Sequence, residues 1–216
     1  MKQKLFCSCA LVFLMMSIDA IAQPGVGGVV YGPKGAFNIS APEGWVLDPT
    51  VAAKQKQPCV LYPKEQTWET ADPLMYARIA STEVEDYEKF AADSVADMKE
   101  KRPGIKPKRV ESGKTKGGLP YFIYDYPPTK DYPRHEQAAY VQLPKAVAYI
   151  VFSAEEESAF RKHKGALQEA VKSLQSMNVD YPDKPKSQND RGNEVGRWGD
   201  GRVVAGRPIS GWGRSL

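Results

Sequence analysis

The chain has little with which to do chemistry. Its 216 residues include two histidines, His135 and His163, and three cysteines. No His-x-x-x-His, Cys-x-x-Cys or calcium-loop spacing is present, and no Gly-x-Ser-x-Gly elbow surrounds a serine. Gly25, Gly27 and Gly28 lack the last glycine and the preceding strand of a dinucleotide fingerprint. These absences predict a protein without metal, nucleotide or other cofactor. Charge of one sign is also scarce. The formal net charge is +4, with Lys and Arg interleaved with Asp and Glu, which argues against a nucleic-acid binder. Beyond the first residues there is no apolar run of the ~18 or more residues that a membrane-spanning helix needs.

What is present begins with an export signal. Lys2 and Lys4 precede an apolar core from Leu5 to Met16, and Ala20-Ile21-Ala22 forms a small-x-small cleavage site before Gln23. Residues 1–22 are thus expected to be removed, placing the mature protein in the periplasm or outside the cell with no transmembrane span. Cys7 and Cys9 leave with the signal, and Cys59 alone cannot form an internal disulfide, so an apolar core must hold the fold. Cys59 stands in the strand-like run Pro58-Cys59-Val60-Leu61-Tyr62 and reads as a buried, inert thiol.

Residues 23–35 are glycine-rich and read as a flexible lead-in, with a folded domain over 36–179. Alternating or apolar runs predict strands at Ala36–Ser40, Cys59–Tyr62, Leu74–Ala80, Pro107–Thr115, Leu119–Tyr126, Glu136–Leu143 and Ala146–Phe152. Pro42-Glu43-Gly44-Trp45 reads as a turn returning a large aromatic to the core. Tyr121 and Ile123 point one way while Phe122, Tyr124 and Tyr126 point the other, so the sheet is covered on both faces. The capping box Thr82-Glu83-Val84-Glu85 opens a helix with Val84, Tyr87, Phe90, Ala91, Val95 and Met98 on one stripe, closed by Lys99, Lys101 and Arg102 before Pro103-Gly104. A second box at Ser153-Ala154-Glu155-Glu156 opens a helix striped by Phe160, Leu167, Val171, Leu174 and Met177. This order predicts an α+β domain: a central antiparallel β-sheet flanked by helices. Residues 180–216 read as a disordered basic tail; from Tyr181 onward it holds seven Lys and Arg against four Asp and Glu, with Trp198 and Trp212 in a faint Gly/Trp/Arg repeat.

An exported chain with a strand into Pro42-x-Gly44-Trp45, a capped helix, antiparallel strands and a closing helix after Tyr149-Ile150-Val151-Phe152 resembles the PsbP-like superfamily, including bacterial envelope proteins related to DcrB. The resemblance spans roughly Phe37 to Met177. It implies a central antiparallel sheet between helical layers and a binding or accessory role in place of catalysis, and it carries over no active-site motif.

The residues themselves offer few candidate sites. His163 lies among the cations Arg161, Lys162 and Lys164 and reads as a solvated helix position, while His135 sits at a loop-to-strand junction. Glu155, Glu156 and Glu157 are consecutive, so they fan around a helix and do not converge on a metal. The loop from Tyr126 to Arg134 carries three prolines, which lower the cost of ordering it, and Tyr126, Tyr132 and Arg134 are of types enriched at binding hot spots. Its alternative is a stiffened hairpin connection. Lys106, Lys108, Arg109, Lys114 and Lys116 read as charges guarding an edge strand. Trp198 and Trp212 make the tail a candidate arm for an envelope protein or cell-wall component.

The reading that follows is an exported, non-catalytic binding or accessory protein of the cell envelope. Two alternatives belong to other classes: a hydrolase-like enzyme using Cys59 or His135, and a structural envelope protein whose oligomerisation is its purpose.

Overall fold

The computed structural model describes residues 27–32, 34–80 and 84–178. The signal segment, Cys7, Cys9, Thr82, Glu83, the domain's far boundary at 179, and the tail with Trp198 and Trp212 lie outside the described residues. In chain order the elements are β1 (Gly27–Gly32), β2 (Gly35–Ser40), β3 (Trp45–Leu47), α1 (Pro49–Lys54), β4 (Val60–Pro63), β5 (Leu74–Ile79), α2 (Tyr87–Lys101), β6 (Lys108–Lys114), β7 (Pro120–Tyr126), β8 (His135–Gln142), β9 (Val147–Ala154), α3 (Glu157–Ser173) and β10 (Gln175–Met177). They form a seven-stranded sheet in the order β3-β4-β5-β9-β8-β7-β6 and a three-stranded sheet in the order β1-β2-β10. Every strand pairing is antiparallel. The α+β class expected from the sequence is the class observed, and all seven expected strands are present.

The central strands of the large sheet are buried on both faces, as their two-sided apolar patterns require, while β6 at its end is mostly exposed. On one face Tyr121, Ile123, Ala139, Ala148, Ile150 and Phe152 pack with Leu167 and Val171 of α3, with Leu174 at its C-cap, and with Phe37 and Ile39 of β2. On the other, Phe122, Tyr126, Ala138, Tyr140 and Val147 pack with Phe90 and Ala91 of α2, with Val84, Tyr87, Val95 and Met98 along its margin. The stripe expected on the first long helix is therefore the stripe that packs. The layers run α3 with the small sheet, then the large sheet, then α2.

Three local readings are corrected. First, the lead-in is not flexible throughout: Gly27–Gly32 is strand β1, in register with β2 from Gly27↔Ser40 to Gly32↔Gly35. Its glycines permit close approach. A Cβ on Gly28 would stand 2.8 Å from Leu47 Cδ1, and one on Gly32 would stand 2.5 Å from Ile79 Cβ. The same composition that reads as looseness lets a strand lie against a sheet.

Second, both long helices start later than their capping boxes. The N-cap of α2 is Asp86, whose Oδ1 accepts from the Lys89 N–H at 2.8 Å. At α3, Ser153 and Ala154 are consumed by β9, which pairs with β8 as far as His135↔Ala154. The helix begins at Glu157 without a side-chain cap of its own. Asp72 anchors the residues leading into it from a distance, its two carboxylate oxygens accepting from the N–H groups of Glu155 at 2.8 Å and Glu156 at 3.0 Å. Strand pairing outcompetes the local cap.

Third, Met177 does not extend the α3 stripe. It belongs to β10 and pairs with Ala36. Of the three cations expected to serve the helix dipole, Arg102 is buried instead, while Lys99 and Lys101 stay exposed in the last turn, Lys101 paired with Asp97 at 2.7 Å.

Candidate functional site

The connection between β7 and β8 carries the most elaborate polar arrangement of the described residues. It leaves the sheet at Tyr126, which is buried; its hydroxyl lies 2.8 Å from that of Tyr140. Burial and the neighbouring Tyr140 raise the Tyr126 pKa, so the phenol stays neutral. Tyr126 thus supports the loop from beneath and is not a surface anchor, a correction that follows from its place in phase with Phe122 and Tyr124 on the covered face. The loop then closes on itself. The Thr129 N–H donates to the Tyr132 carbonyl at 2.9 Å, and the Tyr132 N–H donates back to that of Thr129 at 3.1 Å.

Tyr132 joins the loop to the core. Its hydroxyl donates to Glu136 Oε1 at 2.9 Å, and the Arg102 guanidinium carbon lies 3.4 Å from its ring centroid. Arg102 Nη1 stands 2.7 Å from Glu136 Oε2, with the two side chains only 5% and 7% exposed. Among the described residues that nitrogen has no aligned hydrogen-bond partner, so charge holds it. Burial first, and the Glu136 carboxylate second, raise the Tyr132 pKa and keep its proton on the phenol oxygen. Cation, ring and carboxylate form a closed triangle tying the end of α2, the loop and the start of β8 together. Arg134 caps the other limb, reaching Glu155 through Nη2 and Ser153 Oγ through Nη1 at 3.3 Å.

Between the loop and the end of α2 lies a cleft of about 150 Å³, walled by Met98, Pro103 and Tyr132 and edged by Lys101, Thr129 and Asp131, with Arg102 at its back. That is well below the ~300–1,000 Å³ of small-molecule sites. Of the three loop residues singled out from the sequence, Tyr132 lines the cleft, Arg134 braces the far limb, and Tyr126 lies below. Arg102 and Glu136 were missed. The available signal was phase: Glu136 alternates with Ala138 and Tyr140 on a face that is otherwise apolar, and such an acid needs a buried partner.

The remaining candidates sit elsewhere. Cys59 is buried, and burial pushes its thiol up to about 12, far from the thiolate a nucleophile requires. His135 opens β8 with its ring 5.2 Å from that of Phe160. His163 is not simply solvated: it is half-buried with its ring 5.7 Å from Trp45 at 81°. Its pKa is lowered, first by burial and then by the Lys162 charge, while Glu65 and Asp72 act in the opposite sense. A histidine held below its unfolded pKa contributes stability above about 6.5 that is lost as pH falls. We expect the midpoint of denaturant unfolding to decline between about pH 7 and 5, and His163→Gln to flatten that decline. An unchanged slope in the variant would assign the effect to other groups. Lys108, Arg109 and Lys114 do lie on an edge strand, since β6 ends the large sheet. Among the described residues no group of three or more His, Cys, Asp or Glu side chains is placed to hold a metal, and no helix is long and apolar enough to cross a membrane.

No protein-family model matches the chain, and no curated protein does. Solved structures are similar in fold. One is LpqN, involved in cell envelope biogenesis of Mycobacterium tuberculosis, at 16% identity and TM-score 0.49 over 71% of this chain and 91% of that one. A cyanobacterial PsbP (CyanoP) from Synechocystis aligns at 13% identity and TM-score 0.45 over 76% of this chain and 99% of that one. A protein of unknown function from Pseudomonas aeruginosa aligns at 13% identity and TM-score 0.38 over 76% of this chain and 90% of that one. These likenesses concern fold alone.

Proposed function

We propose that this chain is an exported, non-catalytic binding or accessory protein of the cell envelope, working in the periplasm or outside the cell, and that it meets its partner through the loop from Tyr126 to Arg134. The observation that carries this reading is the buried Arg102–Tyr132–Glu136 triangle behind the cleft. A loop already fixed from behind gives up little conformational freedom on association, which is the main cost of building an interface from a connecting segment. The cleft takes one protruding group, so the partner is a macromolecule, an envelope protein or cell-wall component, and no cofactor takes part. The shielded Cys59 thiol weighs against a nucleophilic enzyme. The tail residues Trp198 and Trp212 join the proposal as a second contact arm.

The test places a photo-cross-linking side chain at Lys130, on the exposed loop, or at Lys145, in the exposed β8–β9 turn, within cells that export the protein. A discrete adduct from position 130 that is absent from position 145 and lost on Tyr132→Ala is the expected result. Equal labelling from both positions would remove the loop as the contact. Turnover by the purified protein that disappears on Cys59→Ser or His135→Ala would replace the binding role by an enzymatic one.

A further inference from the structure

The two sheets have four edges among the described residues, and three are protected against pairing with another strand. The β6 edge carries Lys108, Arg109, Glu111 and Lys114, and its register shifts between Arg109 and Glu111. The β3 and β10 edges are three residues each, Trp45–Leu47 and Gln175–Met177. Charges, bulges and shortness are the ordinary devices that keep sheet edges from recruiting new strands.

The β1 edge has none of them. Gly27-Gly28-Val29-Val30-Tyr31 is free of charge and of proline, and its pairing with β2 runs without a bulge. Val30 faces the core, while Val29 and Tyr31 point outward at 38% and 60% exposure; among the described residues only Val110 joins them as a large exposed hydrophobic. The nearest cation, Lys34, is engaged by Glu85 at 3.3 Å. Among the described residues no charge at this edge repels an incoming strand, and its two outward apolar side chains reward one.

We propose that the outer edge of β1, over Gly27–Tyr31, pairs antiparallel with the same edge of a second copy of this chain. The choice of occupant follows from charge and symmetry. Two uncharged β1 strands related by a two-fold axis set Val29 and Tyr31 of each copy beside those of the other, with no like charges opposed. Two β6 edges would oppose lysines and arginine. A β1–β6 pairing would be head-to-tail and would meet the register shift. The two-fold pairing joins two three-stranded sheets into one of six strands. It uses a surface other than the loop, so either idea stands if the other fails.

The test is sedimentation of the whole chain, purified as the cell processes it, over a range of concentrations, with amide exchange on the same samples. The expected result is a reversible species of twice the single-chain mass, with amides within residues 27–31 exchanging more slowly as concentration rises. The double variant Val29→Lys/Tyr31→Lys should weaken association by ~10-fold or more, because cations then face one another across the strands. Both positions are exposed, so unchanged circular dichroism and melting would show that folding is intact. Val110→Lys, on the β6 edge of the other sheet, should leave association as it was. A single-chain mass up to ~1 mM would overturn the proposal, since self-association would then have a Kd above ~1 mM. So would association that ignores the β1 lysines, or loss of association in Val110→Lys. Amides of 27–31 already protected in a single-chain species would show the edge covered from within the chain, which equally removes a second copy. Association with a different, extended protein segment and none with itself would replace this partner by that one.

Discussion

Glu136→Ala is expected to destabilise the domain by about 3–5 kcal/mol, the usual cost of removing one member of a buried ion pair. The alanine leaves Arg102 with its charge intact, 5% exposed at its side chain and without the carboxylate that stood 2.7 Å away. The Tyr132 hydroxyl loses its acceptor at the same stroke. Denaturant unfolding measures the effect as a lower midpoint at nearly unchanged slope. The double variant Arg102→Met/Glu136→Leu should recover most of the loss, since a buried pair and a matched apolar pair are often close in stability while a half-pair is not. If Glu136→Ala alone costs less than about 1 kcal/mol, the range of an exposed pair, water reaches the site freely and the loop is not fixed from behind.

Trp45→Ala should also cost about 3–5 kcal/mol, as expected for a buried large aromatic. The indole is 8% exposed, and it packs against Phe152 of β9 at 6.3 Å between centroids and against His163 of α3 at 5.7 Å. It therefore joins the β3 edge of the large sheet to the helix covering it. Trp45→Phe, which retains an aromatic ring, should recover a large part of the loss, and thermal or denaturant melts of the two variants give the comparison. An alanine variant as stable as the parent would show that the turn before Trp45 delivers no core anchor.

Much of the fold was legible because its signals are local. Six of the seven expected strands are apolar or alternating over four or more residues, Pro107–Thr115 being the exception, and the Phe90-centred stripe has helical spacing. The Pro42–Trp45 turn closes as expected, with the Trp45 N–H donating to the Pro42 carbonyl at 3.0 Å and Gly44 at φ +75°. The elements missed are those whose structure is imposed from outside. Strand β10 is three residues, Gln175-Ser176-Met177, with no pattern to read. Strand β1 looked flexible because its glycines serve contacts with Leu47 and Ile79 that only the folded chain reveals. Helix α1 did carry a signal, Asp48 followed by Pro49, with Asp48 Oδ1 accepting from the Val51 N–H at 2.9 Å; six residues were too few for periodicity to expose it.

The candidate site was legible in outline and not in wiring. Composition pointed to the proline-rich loop and to Tyr132. The triangle behind it needs Arg102 and Glu136, which lie 34 positions apart on different layers, and a charged residue at a helix end reads first as a dipole partner. Only the phase of Glu136 along β8 marked it as belonging to the covered face.

The remote anchor just before α3 bears on how the chain assembles. Asp72 lies 83 and 84 positions before the two amides it receives, so the turn leading into the closing helix is held by a residue made long before it. Until β5 has come alongside β9, the start of α3 has no partner for those amides but water. The final helix should thus be a late recruit whose order depends on a distant strand, and such reliance on far-apart segments belongs to slow-folding topologies. A nascent chain released before Asp72 finds its place would expose the underside of the sheet to its neighbours.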